Sequence, residues 1–225
     1  MSEEKQWLTE QRKSSEWFSE DKVRRTMEAL RNNGFESFYV TSRNEALERL
    51  LQLIPKGSNV GIAGSMTIRQ MKLDDALRER GDHVEDIWAK SYPTEEHLKI
   101  RRRHFNADIF LTGTNAMTED GKLINIDGLG NRVAAMIFGP KKVIVVAGIN
   151  KIVKNVDEGI QRIRNVAAPM NVKRFGGKTP CTQKGYCNLD ECKPPDRHCH
   201  ILTVMEKKPV KTDTTVVIIG ESLGF

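Results

Sequence analysis

The chain predicts an α/β fold in which a mostly parallel sheet carries helices on both faces. Three observations carry that expectation. Short apolar runs alternate with amphipathic stretches of helical period along most of the sequence. The strongest run, KKVIVVA at 141–147, is apolar nearly throughout, as a strand buried on both sides must be. A chain of 225 residues also buries enough surface to be stable without disulfides.

Residues 3–33 read as a helix with Trp7, Leu8, Phe18, Val23, Met27 and Leu30 as apolar contacts, stopped by Asn33-Gly34. Residues 1–34 thus form an N-terminal helical segment ahead of an α/β domain at 35–225. Residues 35–40 are strand-like, and 43–53 form an amphipathic helix with Ala46, Leu47, Leu50 and Leu51 inward. A Pro-Lys-Gly-Ser turn leads into a strand at 59–63. Gly64-Ser65 then open a helix through Leu73, Ala76 and Leu77, closed by Gly81. A short strand at 84–88 precedes a basic helix at 94–105. Residues 108–113 form a buried strand, followed by a hairpin-like stretch and a helix at 130–138. After the strand at 141–147, a helix at 156–167 ends before Pro169, and strands at 201–205 and 215–219 follow. Ligands in such folds bind where strands end and helices begin, which nominates the turns after Ala63, Leu111 and Ala147.

The remaining totals exclude more than they assign. No apolar run approaches the roughly 18 residues of a membrane span. Met1 to Arg12 has no apolar core, so no secretory signal is expected, and four cysteines then point to a reducing, cytoplasmic setting. The net charge of +6 is mild. Its densest patch, KIRRRH at 99–104, lacks interleaved aromatics and reads as a solvated helix face, not a nucleic-acid site. GIAGSMT at 61–67 is a strand-to-helix turn able to bind an anion through Ser65 and Thr67, but it is neither a P-loop nor a dinucleotide fingerprint.

Residues 174–200 have almost no hydrophobic periodicity, and a loop of that length needs something to organise it. Cys181, Cys187, Cys192 and Cys199, spaced C-x5-C-x4-C-x6-C, are the chain's four cysteines, all within this loop. Neighbouring glycines and prolines allow the backbone to fold back and aim four thiolates inward. Four thiolates are the ligand set of tetrahedral zinc or of an iron–sulfur cluster. The long, uneven gaps fit a cluster somewhat better, and a metal of either kind explains the clustering better than four unrelated thiols.

Two polar segments follow the buried strand at 108–113. In the first, Asn115 suits the orientation of a substrate carbonyl, and Glu119 and Asp120 are candidate acid/base groups. In the second, Asp127, Asn131 and Arg132 open a helix and are candidate substrate-binding residues, with Asn131 and Arg132 as the anion holders. Each also has a structural reading. Glu119-Asp120-Gly121 makes an ordinary hairpin turn, and Asp127 or Asn131 caps a helix.

GSMTI, the stretch TGTNAMTEDGKLINIDGLGNRVAAMIFGPKKVIVVAGINKIV and the tract AAPMN…TPC…C…C…PDRHC resemble the LUD family of lactate-utilisation proteins from about Phe35 to Phe225. The resemblance implies an open, Rossmann-like sheet of the kind found in CoA transferases and ribose-5-phosphate isomerase. It also implies a role near the oxidation of lactate to pyruvate, beside iron–sulfur redox partner subunits. Asn188 to Glu191 make the second cysteine gap longer than is usual in short, Cys-bearing members. On this reading the chain is a redox accessory holding an iron–sulfur cluster, of the 4Fe-4S type, and a small anionic 2-hydroxy or 2-oxo acid. An isomerase- or transferase-like enzyme binding a phosphate or CoA ester, with structural zinc on the cysteines, is the alternative. Regulatory binding of a small carboxylate is a third.

Overall fold

Runs of Val and Ile assemble the central layer. The computed structural model describes residues 3–89, 91 and 93–225, so Met1 and Ser2 of the expected N-terminal segment lie outside the described residues. Helix α1 (Glu3–Asn32) leads to β1 (Glu36–Val40), α2 (Arg43–Leu53), β2 (Asn59–Ile62), the short helices α3 (Met66–Gln70) and α4 (Leu73–Glu79), and β3 (His83–Asp86). Next come α5 (Thr94–Arg103), β4 (Ile109–Thr112), β5 (Ala116–Thr118), β6 (Leu123–Asp127), α6 (Asn131–Ile137), β7 (Lys142–Gly148) and β8 (Ile152–Val153). Then α7 (Val156–Arg162), α8 (Ala168–Arg174), α9 (Pro180–Lys184), β9 (Ile201–Met205) and β10 (Asp213–Ile219) follow.

Six strands pair in parallel in the order β1-β10-β7-β4-β2-β3, an open, Rossmann-like α/β sheet as expected. Period-two alternation divides β7 between two cores. Ile144 and Val146 pack with Ala46, Leu50, Ile68, Leu73 and Leu77 of α2, α3 and α4. Val143, Val145 and Ala147 pack on the other face with Val23 and Leu30 of α1 and Ala135 and Met136 of α6. Each leucine so buried contributes about 1.5–3 kcal/mol.

The hairpin-like stretch builds more than a hairpin. β5 and β6 pair antiparallel, β8 adds parallel to β5, and the late strand β9 adds antiparallel to β6, forming a second sheet in the order β8-β5-β6-β9. One face of this sheet packs Met117, Leu123 and Ile152 against the central layer, and the other packs Ala116 and Ile124 against Ile163 beyond α7. The expected single sheet is therefore two.

Three local expectations are also corrected. Trp7, Leu8 and Phe18 are exposed, so α1 docks through its C-terminal half, where Lys22 donates to the Ile152 carbonyl at 3.0 Å. The helix expected after Ser65 is broken between α3 and α4, where Lys72 takes a left-handed φ of 56°. Nor does the helix at 156–167 end before Pro169. A π turn at Ile163–Ala167 carries α7 into α8, and Pro169 falls in the first turn of α8, where its missing N–H is tolerated. No helix among the described residues is long and apolar enough to cross a membrane.

Candidate functional site

The carboxyl ends of β2, β4 and β7 open onto a pocket of about 200 Å³, closed by the β6–α6 turn, α8 and Gly224-Phe225. All three nominated turns reach it, through Ser65 and Thr67, through Gly113 to Asn115, and through Lys151. Ser65 Oγ caps α3 by accepting from the Ile68 N–H at 3.4 Å, which fixes the turn that presents Thr67.

Asn115 is held from several sides. Its Oδ1 accepts from the Ile126 N–H at 2.9 Å and from Arg132 Nη2 at 3.0 Å, and its carbonyl accepts from Arg162 Nη1 at 2.7 Å. With Oδ1 engaged twice, the amide cannot flip, and its Nδ2 hydrogens remain as pocket-side donors. Arg132 supplies the clamp. Besides Asn115 it donates to Asn125 Oδ1 and to the Ile126 carbonyl, each at 2.7 Å, and it pairs with Asp127 at 3.7 Å. Asp127 in turn accepts from the N–H groups of Gly130 and Val133, capping α6 as its structural reading held. Both residues line the pocket, but their polar atoms serve the scaffold.

The other proposed groups lie elsewhere. Asn131 opens α6 but does not line the pocket. Glu119 pairs with Arg25 of α1 at 3.0 Å, and Asp120 pairs with Lys122 at 2.8 Å and accepts from the Thr118 hydroxyl. Lys122 and then Thr118 hold the Asp120 carboxyl below its ordinary range. This hairpin tip faces α1: Asn33 Nδ2 donates to the carbonyls of Asp120 and Gly121, and a Cβ on Gly121 would sit 2.5 Å from the Ala29 carbonyl carbon. The hairpin-turn reading therefore describes how Glu119 and Asp120 are placed, outside the lining of the pocket.

Residues not singled out by sequence complete the pocket. Trp88 packs so close to Gly64 that a Cβ there would meet its ring at 2.6 Å, and Arg174 of α8 stacks over the ring at 4.2 Å. Lys151 is 4% exposed, and burial followed by the Arg162 charge pushes its amine down to about 7. Its sequence signal was a single charge set between the most apolar strand and Ile152-Val153.

Beyond one wall lies a second cavity, of about 80 Å³, lined by Cys181, Cys187, Cys192 and Cys199 together. All four are free thiols. Burial, then neighbouring Cys181, Cys187 and Cys192, pushes the Cys199 thiol up to about 11, so a metal ion would have to displace its proton. Among the described residues no three His, Cys, Asp or Glu side chains are arranged as a cage for a single ion. Arg164 and Arg197 also line the cavity, and Arg164 Nε is buried without a partner. Four thiols with two guanidinium groups fit an anionic thiolate-ligated centre, whose sulfurs would accept from such donors. Ile126, Ala168, Val172, His198 and Cys199 line both chambers.

The family model of the LUD domain matches residues 23–219. The chain is also similar to the crystal structure of a DUF162 family protein from Deinococcus radiodurans, with a TM-score of 0.53 and 15% identity, covering 89% of this chain and 98% of that one. At that identity the likeness bears on the fold. No curated protein matches the chain.

Proposed function

This chain belongs to the LUD-domain family, and from that premise we propose that it is an iron–sulfur redox accessory in the oxidation of lactate or a related 2-hydroxy acid. The observation that carries the proposal is the wall shared by the pocket and the cysteine chamber. A small acid held at Thr67 and Asn115 would lie next to Cys199, one of the four thiols proposed as ligands. Bound there, a cluster would supply one-electron transfer.

The chain's own residues bind, orient and exclude water. Asn115 Nδ2 and Thr67 Oγ1 offer donors to the oxygens of the acid, while Arg132 keeps the amide fixed. Oxidation of a 2-hydroxy acid to the 2-oxo acid releases two electrons and two protons. On this reading both electrons are taken up by the iron–sulfur partner subunits, and the two protons leave to solvent. A pocket of about 200 Å³ suits a three-carbon acid. A reducing, cytoplasmic setting suits four free thiols on this proposal.

Anaerobic purification with iron, sulfide and zinc analysis tests it. About four irons per chain, a broad brown absorbance and their joint loss in Cys192→Ser are expected. One zinc per chain and a colourless protein would overturn the redox reading.

A further inference from the structure

We propose that Lys151 is the carboxylate anchor of the pocket: its ammonium pairs with the carboxylate of a small 2-hydroxy or 2-oxo acid, and the protein takes up a proton as the acid binds. This rests on the pocket reading above, and it names the group that recognises the substrate class.

The pocket brings two cationic side chains, Arg132 and Lys151, to its lining. Arg132 is already committed to Asn115, Asn125, Ile126 and Asp127. Lys151 has no hydrogen-bond or ion-pair partner among the described residues, although it is 4% exposed. Burying an ammonium without a counter-charge is costly, so a fold keeps one where something else supplies the anion. Geometry places the amine beside the other free donor. A Cβ built on Gly224 would lie 2.6 Å from Thr67 Oγ1 and 3.4 Å from Lys151 Nζ, so both polar tips converge on one point, at a residue whose φ is +64°. With Asn115 Nδ2, this gives an ammonium for the carboxylate and two neutral donors for the oxygen on the next carbon.

The surrounding side-chain charges favour an anion. Arg162 of α7 acts on Lys151 with like charge, while its guanidinium donates to the carbonyls of Asn150 and Asn115. On the β6–α6 side, Asp127 is paired with Arg132 and accepts from two backbone N–H groups. His198 and Cys199 line the wall toward the second chamber. In the free protein the amine is depressed to about 7, and a bound carboxylate raises it again. Acid affinity is then greatest below that value. It falls by about tenfold per pH unit above it, until the bound-state value is reached.

The test is isothermal titration calorimetry of the full, anaerobically purified chain with lactate, pyruvate and inorganic phosphate. Titrations run from pH 6 to 9 in two buffers of different protonation enthalpy. Expected are binding of lactate or pyruvate, uptake approaching one proton near pH 8 and little uptake near pH 6. Lys151→Met should weaken the acid roughly 10- to 100-fold, keep the parent's metal content, and unfold at the same or a higher temperature because an unpaired buried amine is gone. Thr67→Val should weaken binding while leaving proton uptake intact. Affinity that is flat with pH, phosphate binding as tightly as the acids, or an unaffected Lys151→Met variant would each overturn the assignment. Metal analysis separates the two readings. Acid binding with proton uptake in a zinc protein sinks the redox proposal alone, and an iron–sulfur protein that binds no acid sinks this one alone.

Discussion

Replacing Arg132 by leucine separates a scaffold role from a ligand-binding role. The substitution removes donors from Asn115 Oδ1, Asn125 Oδ1 and the Ile126 carbonyl, and it strips Asp127 of its partner. Hydrogen bonds from a charged donor are worth about 1.5–3 kcal/mol each. Two acceptors keep other donors, however. Asn115 Oδ1 retains the Ile126 N–H at 2.9 Å, and Asn125 Oδ1 retains the Asn115 backbone N–H at 3.2 Å. The net loss therefore lies near 3–5 kcal/mol, the range for breaking a buried ion pair. In a domain of this size that lowers Tm by about 6–20 °C. Thermal unfolding followed by circular dichroism measures it directly. A Tm within about 2 °C of the parent, together with lost acid binding, would refute the argument and make Arg132 a ligand contact.

Glu119→Gln should leave acid binding unchanged within about twofold and cost under about 1 kcal/mol, because its pair with Arg25 is largely solvated. A strong loss of binding would return Glu119 to the pocket. Gly121→Ala combines a disfavoured φ of +80° with a clash against the Ala29–Leu30 backbone, and should cost about 2–5 kcal/mol in urea unfolding. An unaltered midpoint would mean that the hairpin does not dock on α1. His104 is buried, its Nε2–H donates to the Glu85 carbonyl at 2.9 Å, and burial holds its imidazole below the ordinary value. The unfolded chain therefore binds this proton first, and stability falls as pH drops below about 6.5. His104→Gln should flatten that limb of the urea midpoint between about pH 6.5 and 5, and an unchanged slope would count against it.

The central sheet was legible because its rule is local. Val143 to Ala147 alternate between two apolar cores, and the run reads as a buried strand from composition alone. The second sheet was not, because its pairing joins β6 to β9 across more than seventy residues of chain, and Ile201 to Met205 carries no mark of its partner. Asn115 was found by its place after a buried strand, and that same rule holds for Lys151 after β7. Lys151 escaped notice because its significance is the absence of a counter-ion, a property of assembled space. Glu119 and Asp120 lie outside the lining for the converse reason. Carboxylates near a nominated turn look catalytic until α1, far upstream in sequence, lies against them.

The π turn at Ile163–Ala167 sets the phase of the partition between the two chambers. Ile163 and Ala167 face the larger pocket, Arg164 faces the cysteines, and Ala168 and Val172 touch both. A wider turn holds an extra residue without ending the rod, so everything C-terminal to it is rotated relative to an uninterrupted α-helix by about 100°. Deleting one residue there would leave composition, charge and helix length almost untouched. Yet it would swing Ala168, Val172 and the Arg174 that stacks on Trp88 away from the chambers they now divide. The wall between the two chambers is thus a matter of angular register, set by a single residue's worth of helical slack.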